Sequence, residues 1–136
     1  MEITRLYNIA EDEGISVSFL ALPETKGISL ELNGDYHIAL DSDSSKSPSE
    51  EKVILAHELG HCVSGGLYGI SEDSLIRIRL EKKAARWAIE RLVPLSELKN
   101  AIKCGDEALS CLAERFGVTE EFMQKAIKHY TMEFSA

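Results

Sequence analysis

The residues best suited to chemistry lie near the middle of the chain, in the pentapeptide His57-Glu58-Leu59-Gly60-His61. Two histidines four positions apart on an α-helix point to nearly the same side, because four residues advance only about 40° beyond a full turn. Their imidazoles can therefore bind one metal ion. Glu58 lies about 100° around the helix from His57, so its carboxylate is expected beside that ion rather than on it.

Zinc is the metal that this pattern favours, because zinc binds imidazole nitrogen and carboxylate oxygen in tetrahedral sites. A catalytic zinc usually has three protein ligands and one water, and it lowers the pKa of that water to about 7. Glu58 would then act as the general base that takes a proton from the water. The pentapeptide thus predicts a zinc peptidase in which His57 and His61 are ligands and Glu58 is catalytic.

The HExxH pattern also arises by chance, and its histidines would then be ordinary core or surface residues. The context favours the metal site. The motif follows the apolar run Val53-Ile54-Leu55-Ala56 on a strongly predicted helix. Imidazoles on a helix that is largely buried need hydrogen-bond partners or a metal ion.

The third ligand must come from another segment, and five downstream carboxylates are candidates: Glu72, Asp73, Glu81, Glu90 and Glu97. We favour Glu81, because it begins a stripe at helical spacing that continues through Ala84, Ala85, Ala88 and Leu92. Small side chains would let this helix approach the HExxH helix closely, and a carboxylate on the buried face needs a partner. The alternative is a surface carboxylate paired with Arg77 or Lys82.

The elements that must position these residues begin with a helix over residues 3–13, which Gly14 ends. Alternating side chains and turn residues then predict three strands, at residues 16–22, Gly27–Leu32 and residues 36–40. Asn33-Gly34-Asp35 is a strong tight-turn signal, because Asn and Gly tolerate positive φ. The first half is therefore expected to hold a small antiparallel sheet.

The second half is predicted to be helical. Ser47 as N-cap, Pro48 at the first helical position and Glu50 three residues after the cap start the HExxH helix. Further helices are expected at Ser74–Leu92, Leu95–Lys103 and residues 107–116 and 119–133. The prediction is an α+β fold with the sheet packed on the HExxH helix. Residues 1–136 would form one domain, with a catalytic core at 1–94 and a helical subregion at 95–136.

Composition narrows the function classes. A chain of 136 residues with 44% hydrophobic content fits one globular domain. Three cysteines without a CxxC pair argue against a disulfide framework or a cysteine metal site. With no signal peptide and no apolar run long enough to span a bilayer, we expect a cytoplasmic protein that does not contact membranes.

Direct nucleic-acid binding is not expected, because the net charge is −8 and such binding requires a basic surface. Residues 112–127 have the spacing of a helix-turn-helix unit. Glu120 and Glu121 oppose Lys125 and Lys128 there, so two packed helices are the better interpretation.

The sequence resembles the ImmA/IrrE metallopeptidases of phages, mobile elements and bacterial stress regulators. The matching segments are residues 56–61 (AHELGH) and 81–94 (EKKAARWAIERLVP). The helix ending in Glu13-Gly14-Ile15 and the strand at 36–40 also match, so the resemblance covers most of the chain. It implies a zincin-like domain with His57, His61 and Glu81 as zinc ligands and Glu58 as catalytic base.

Members of that family typically act on helix-turn-helix transcriptional repressors, by cutting them or by otherwise relieving repression. The resemblance therefore implies an endopeptidase whose protein substrate is such a repressor. The alternative is a zinc-stabilised protein that displaces or sequesters a repressor without cleaving it. By the same resemblance, an edge strand would bind an extended substrate through its backbone, and residues 36–40 are expected to be that strand.

A cationic or phenolic group is also expected near the scissile carbonyl, to stabilise the negative charge that develops on its oxygen. Four side chains are open for this role on sequence alone: His37, Tyr68, His129 and Tyr130. For each of them an ordinary packing or surface role is the alternative.

Overall fold

The computed structural model describes residues 1–43, 46–65, 67, 73–105 and 108–134, with side chains described to residue 132. Its elements are α1 (Ile3–Asp12), β1 (Ser16–Leu20), β2 (Gly27–Leu32), β3 (Asp35–Asp41), α2 (Pro48–Val63), α3 (Ser74–Leu92), α4 (Leu95–Lys103), α5 (Leu109–Phe116) and α6 (Glu120–Phe134). The predicted α+β class with a helical C-terminal half is confirmed. Tyr68, Glu72 and the predicted helix start at residue 107 lie outside the described residues.

The sheet has the strand order β1-β3-β2, so β3 lies in the centre. Strands β2 and β3 are antiparallel and are joined by the predicted turn, where Asn33 and Gly34 both have positive φ. Strands β1 and β3 are parallel, so the expectation of an antiparallel sheet is wrong for this pair. Strand β3 occupies the central position of the sheet because it is the most deeply buried strand, with Ile38 and Leu40 at most 1% exposed.

Helix α2 lies at the centre of the molecule and carries the HExxH residues. It packs against α1, the sheet and α3. Leu55 and Leu59 of α2 are fully buried and share one hydrophobic cluster with Leu40 of the sheet. Burial of each such side chain stabilises the fold by about 1.5–3 kcal/mol. The same cluster extends to Met123 of α6, so the C-terminal helices add to the core that holds α2 in place.

The predicted start of α2 is confirmed. The Ser47 side chain accepts a hydrogen bond from the Glu50 backbone N–H at 3.1 Å, and Pro48 occupies the first turn. One turn later, buried Lys52 donates to the carbonyl oxygens of Phe116 at 2.8 Å and Met1 at 2.9 Å. Burial lowers the pKa of Lys52. This ammonium joins α2 to the end of α5 and to the N-terminus.

The helices of the described part of the chain are short or polar. No helix there combines the length and the apolarity that a membrane crossing requires.

Candidate metal centre

Three side chains predicted to bind metal come together between α2 and α3. His57 Nε2 lies 2.9 Å from Glu81 Oε2, and His61 Nε2 lies 3.0 Å from Glu81 Oε1. The two imidazole rings are 4.9 Å apart between centroids and nearly perpendicular, at 83°. One ligand atom from each of the three residues lies within 4.8 Å of the others. These residues can therefore hold a single metal ion.

The donor set fits zinc. With bonds of 2.0–2.1 Å, ligand atoms at two corners of a tetrahedron are about 3.3 Å apart, slightly more than the nitrogen–oxygen distances here. The nitrogen–oxygen distances here are therefore close to those of a tetrahedral zinc site. The His61 side chain is 7% exposed, whereas those of His57 and Glu81 are 31% and 42% exposed. The centre therefore opens to solvent on one side, as a catalytic site must if water and substrate are to enter.

Glu81 reaches the histidines because α2 and α3 pack backbone to backbone. A Cβ atom added at Gly60 would lie 2.6 Å from the Ala84 carbonyl oxygen, which is closer than real Cβ atoms approach. Ala84 and Ala88 are fully buried at this contact, so the predicted small-residue stripe is confirmed. Glu81 lies one turn before Ala84 on α3. The close packing of the two helices therefore brings its carboxylate next to the imidazoles.

Gly60 was missed as a functional residue by sequence reasoning, which treated it as a variable position within HExxH. A signal was present. Glycine in a helix interior costs about 1 kcal/mol relative to alanine, so its presence there calls for a packing reason.

The other third-ligand candidates have different positions. Asp73 caps α3, since its side chain accepts a hydrogen bond from the Leu75 backbone N–H at 2.7 Å. Glu90 pairs with Arg86 at 3.3 Å, and Glu97 lies exposed in the first turn of α4. Within the described part of the chain, none of these three joins the histidine cluster.

The proposed base, Glu58, lies beside this cluster and contacts β2. Ser29 Oγ donates a hydrogen bond to Glu58 Oε1 at 2.6 Å. Cys62 lies on the same side of α2 and hydrogen-bonds Ser29, while burial raises the pKa of its thiol to about 11. The thiol is thus neutral at ordinary pH, and Cys62 belongs to the hydrophobic core. Ser29 was missed, although the alternation of β2 places its side chain on the inner face with Gly27.

An open cleft of about 500 Å³ runs past these residues, with the metal cluster and Glu58 on one wall. The other wall is formed by β2, through Ile28, Ser29 and Leu30. A Cβ atom at Gly27 would lie 2.7 Å from Ile54 Cγ2 and 3.2 Å from Glu58 Cγ. The glycine therefore lets the start of β2 lie directly against α2.

The prediction that residues 36–40 form the substrate-binding edge is wrong. This segment belongs to β3, which is hydrogen-bonded to β1 on one side and to β2 on the other. Its backbone groups are already paired, because the most buried strand takes the centre of the sheet. Among the described residues, β2 pairs with β3 alone, so Gly27–Leu32 offers the free edge at the cleft.

Three of the four side chains considered for the oxyanion lie elsewhere. His37 belongs to the central strand β3. In α6, the Tyr130 hydroxyl donates to the Val93 carbonyl at 2.7 Å, and His129 Nε2 lies 3.8 Å from Glu90 Oε1. These three described residues are not among those that line the cleft.

Residues 10–128 match the model of a peptidase family, Peptidase_M78, described as the IrrE N-terminal-like domain. The matched segment includes the three residues of the metal cluster and the adjacent Glu58. A search of the curated proteins found no match.

Proposed function

Because this chain belongs to the IrrE N-terminal-like metallopeptidase family, we propose that it is a zinc-dependent endopeptidase that hydrolyses a peptide bond in a regulatory protein. The observation that carries this proposal is the Glu81 carboxylate lying within 3.0 Å of both HExxH imidazoles. Family membership and this cluster make the chain metallopeptidase-like. The zinc ion, the catalytic step and the substrate are the proposed part.

In the proposed mechanism, His57, His61 and Glu81 hold the zinc ion. When bound, zinc would polarise the substrate carbonyl and lower the pKa of the attacking water. Glu58 accepts the proton of that water and then passes it to the leaving amine. The position of Glu58 on the cleft wall supports this role, because its carboxylate adjoins both the metal ligands and the strand that would hold the substrate.

The free edge of β2 supports binding of the substrate as an added strand. The backbone groups of β2 that point away from β3 can pair with an extended peptide. Ile28 and Leu30 line the cleft, and Leu30 is 43% exposed. Side chains at alternate positions of the added strand would pack on these two residues. We therefore expect a substrate with apolar residues at alternate positions around the scissile bond.

The proposed substrate is a helix-turn-helix transcriptional repressor, as the resemblance to the ImmA/IrrE metallopeptidases implies. Strand addition requires an extended segment. The scissile bond would therefore lie in a linker or a locally unfolded part of the repressor, rather than within one of its helices.

The direct test is the intact mass of a candidate repressor, ideally from the neighbouring gene, after incubation with the zinc-loaded protein. Glu58→Gln is the matched variant, because it removes the base and leaves the three proposed ligands in place. We expect discrete fragments with the wild type and none with Glu58→Gln. The fragment masses would also locate the cleaved bond.

Zinc content and complex formation complete the test. Glu58→Gln should retain zinc, whereas Glu81→Ala should lose it. If the wild type and Glu58→Gln both bind the repressor and leave it intact, the chain is instead a zinc-stabilised binding protein. In that case Glu81→Ala, and not Glu58→Gln, would abolish regulation of the repressor.

A further inference from the structure

Ser29 is the β2 residue whose side chain reaches the proposed general base. Its Oγ lies 2.6 Å from Glu58 Oε1 and 3.2 Å from the Glu58 carbonyl oxygen. A hydroxyl has one hydrogen to donate, and a carboxylate is the stronger acceptor. The shorter contact is therefore the hydrogen bond that matters.

The hydrogen bond from Ser29 restricts the orientation of the Glu58 carboxylate. A glutamate side chain has several rotatable bonds and does not hold one orientation unless another group binds it. Glu58 lines an open cleft, where the site alone does little to restrict the carboxylate. Gly27 leaves room for the Glu58 side chain beside β2, because a Cβ atom there would lie 3.2 Å from Glu58 Cγ, and Ser29 donates a hydrogen bond to one carboxylate oxygen. Strand β2 thus borders the Glu58 side chain and binds its carboxylate.

We propose that Ser29 is a positioning residue, which holds the Glu58 carboxylate against the strand that receives the substrate. With Oε1 engaged by Ser29, Oε2 is the oxygen that accepts the proton. The same strand then sets both the register of the substrate and the orientation of the base. The catalytic consequence rests on the proposed peptidase function, whereas the hydrogen bond can be tested without cleavage.

The kinetic test compares Ser29→Ala with Ser29→Thr, which keeps the hydroxyl. Ser18→Ala is the matched control, since Ser18 is an exposed serine on β1. With a peptide that contains the scissile bond, we expect Ser29→Ala to lower kcat by about ten- to a hundredfold, with KM within about twofold. Ser29→Thr should recover most of kcat, and zinc content should be unchanged in all variants.

The second test is thermal unfolding of metal-free Ser29→Ala, Glu58→Ala and the double variant. If the hydrogen bond exists, the two single shifts in Tm will not add up to the shift of the double variant. The pair of Ser18→Ala with Glu58→Ala should be additive. Additive shifts for Ser29 and Glu58, or a Ser29→Ala enzyme with wild-type kcat, would overturn the proposal.

The two hypotheses fail in different ways. If the zinc-loaded wild type cleaves no repressor or peptide, the proposed function fails, and the unfolding cycle alone decides whether Ser29 holds Glu58. If the wild type cleaves and Ser29→Ala loses zinc together with activity, Ser29 supports the metal site and the positioning role is overturned.

Discussion

One wall of the cleft carries the predicted metal ligands, which the α2–α3 seam brings together, whereas the other wall is the free edge of β2. The two regions are built differently. The seam, defined by Gly60, Ala84 and Ala88, is fully buried and brings two helix backbones into contact. Along the edge of β2, side chains such as that of Leu30 remain exposed. A close-packed interior is sensitive to the volume of one methylene group, whereas an exposed side chain can change at little cost. The proposed metal centre is therefore the constrained part of the site, and the proposed substrate edge is the variable part.

The largest effect that follows from this contrast is expected at the ligand itself. Glu81→Ala should weaken zinc binding by at least about a hundredfold, because changing a residue that only hydrogen-bonds a metal ligand already costs about 10–100-fold, and a ligand contributes more. The measurement is competition for zinc with a chelator of known affinity. Glu90→Ala, nine residues further along the same helix, should retain wild-type affinity. Equal affinities for the two variants would remove Glu81 from the ligand set.

The next largest effect is expected from a substitution in the α2–α3 seam that leaves all three proposed ligands in place. Gly60→Ala places a Cβ atom against the Ala84 carbonyl, so α3 must move away from α2. We expect the free energy of unfolding to fall by about 1–3 kcal/mol through overpacking. Zinc affinity should fall as well, because Glu81 moves with α3. Lys83→Ala, on the exposed side of α3, should change neither quantity.

A change at the far end of α2 should separate stability from metal binding. Lys52→Met removes the ammonium that donates to the Phe116 and Met1 carbonyls. We expect the free energy of unfolding to decrease by about 1–3 kcal/mol, since buried acceptors lose their donor. Chemical denaturation measures this decrease. Zinc affinity per folded molecule should be unchanged, and a parallel loss would mean that the whole of α2 responds as one unit.

The smallest effect is expected at the substrate edge. Leu30→Ala should raise KM by about two- to fivefold, because a cross-strand side-chain pair contributes about 0.2–1 kcal/mol. Steady-state kinetics on a cleaved peptide gives KM, and thermal unfolding should show no shift. Leu20→Ala, on the exposed β1, is the matched control. If Leu20 and Leu30 had equal effects on KM, the substrate would not lie along β2.

Local signals predicted most of the helices and strands correctly. The bounds Gly27–Leu32, Ser74–Leu92 and Leu95–Lys103 agree with the sequence patterns, because strand alternation and helix caps are encoded within a few residues. Strand β1 ends at Leu20 rather than at residue 22. The Leu22 backbone N–H donates to the Asp41 side chain at 3.1 Å instead of to a backbone carbonyl of the sheet. That partner lies 19 residues away, and a local pattern does not contain it.

Some of the site also followed from sequence. Glu81 was favoured over four other carboxylates because it begins the stripe of small residues, and the structure places it beside both imidazoles. The parallel pairing of β1 and β3 and the central place of β3 did not follow. Strand order depends on how much apolar surface each strand buries in the folded protein, and each strand by itself is compatible with several orders.

The sequence by itself determined the helix that carries His57, Glu58 and His61, because a spacing of four residues aligns two side chains on any α-helix. Which strand borders the cleft, and which side chain binds Glu58, became clear only from the folded structure. Ser29 and Glu58 are separated by 29 positions, and they meet only because Gly27 lets β2 lie against α2. Such contacts depend on how whole elements pack, which no short stretch of sequence specifies.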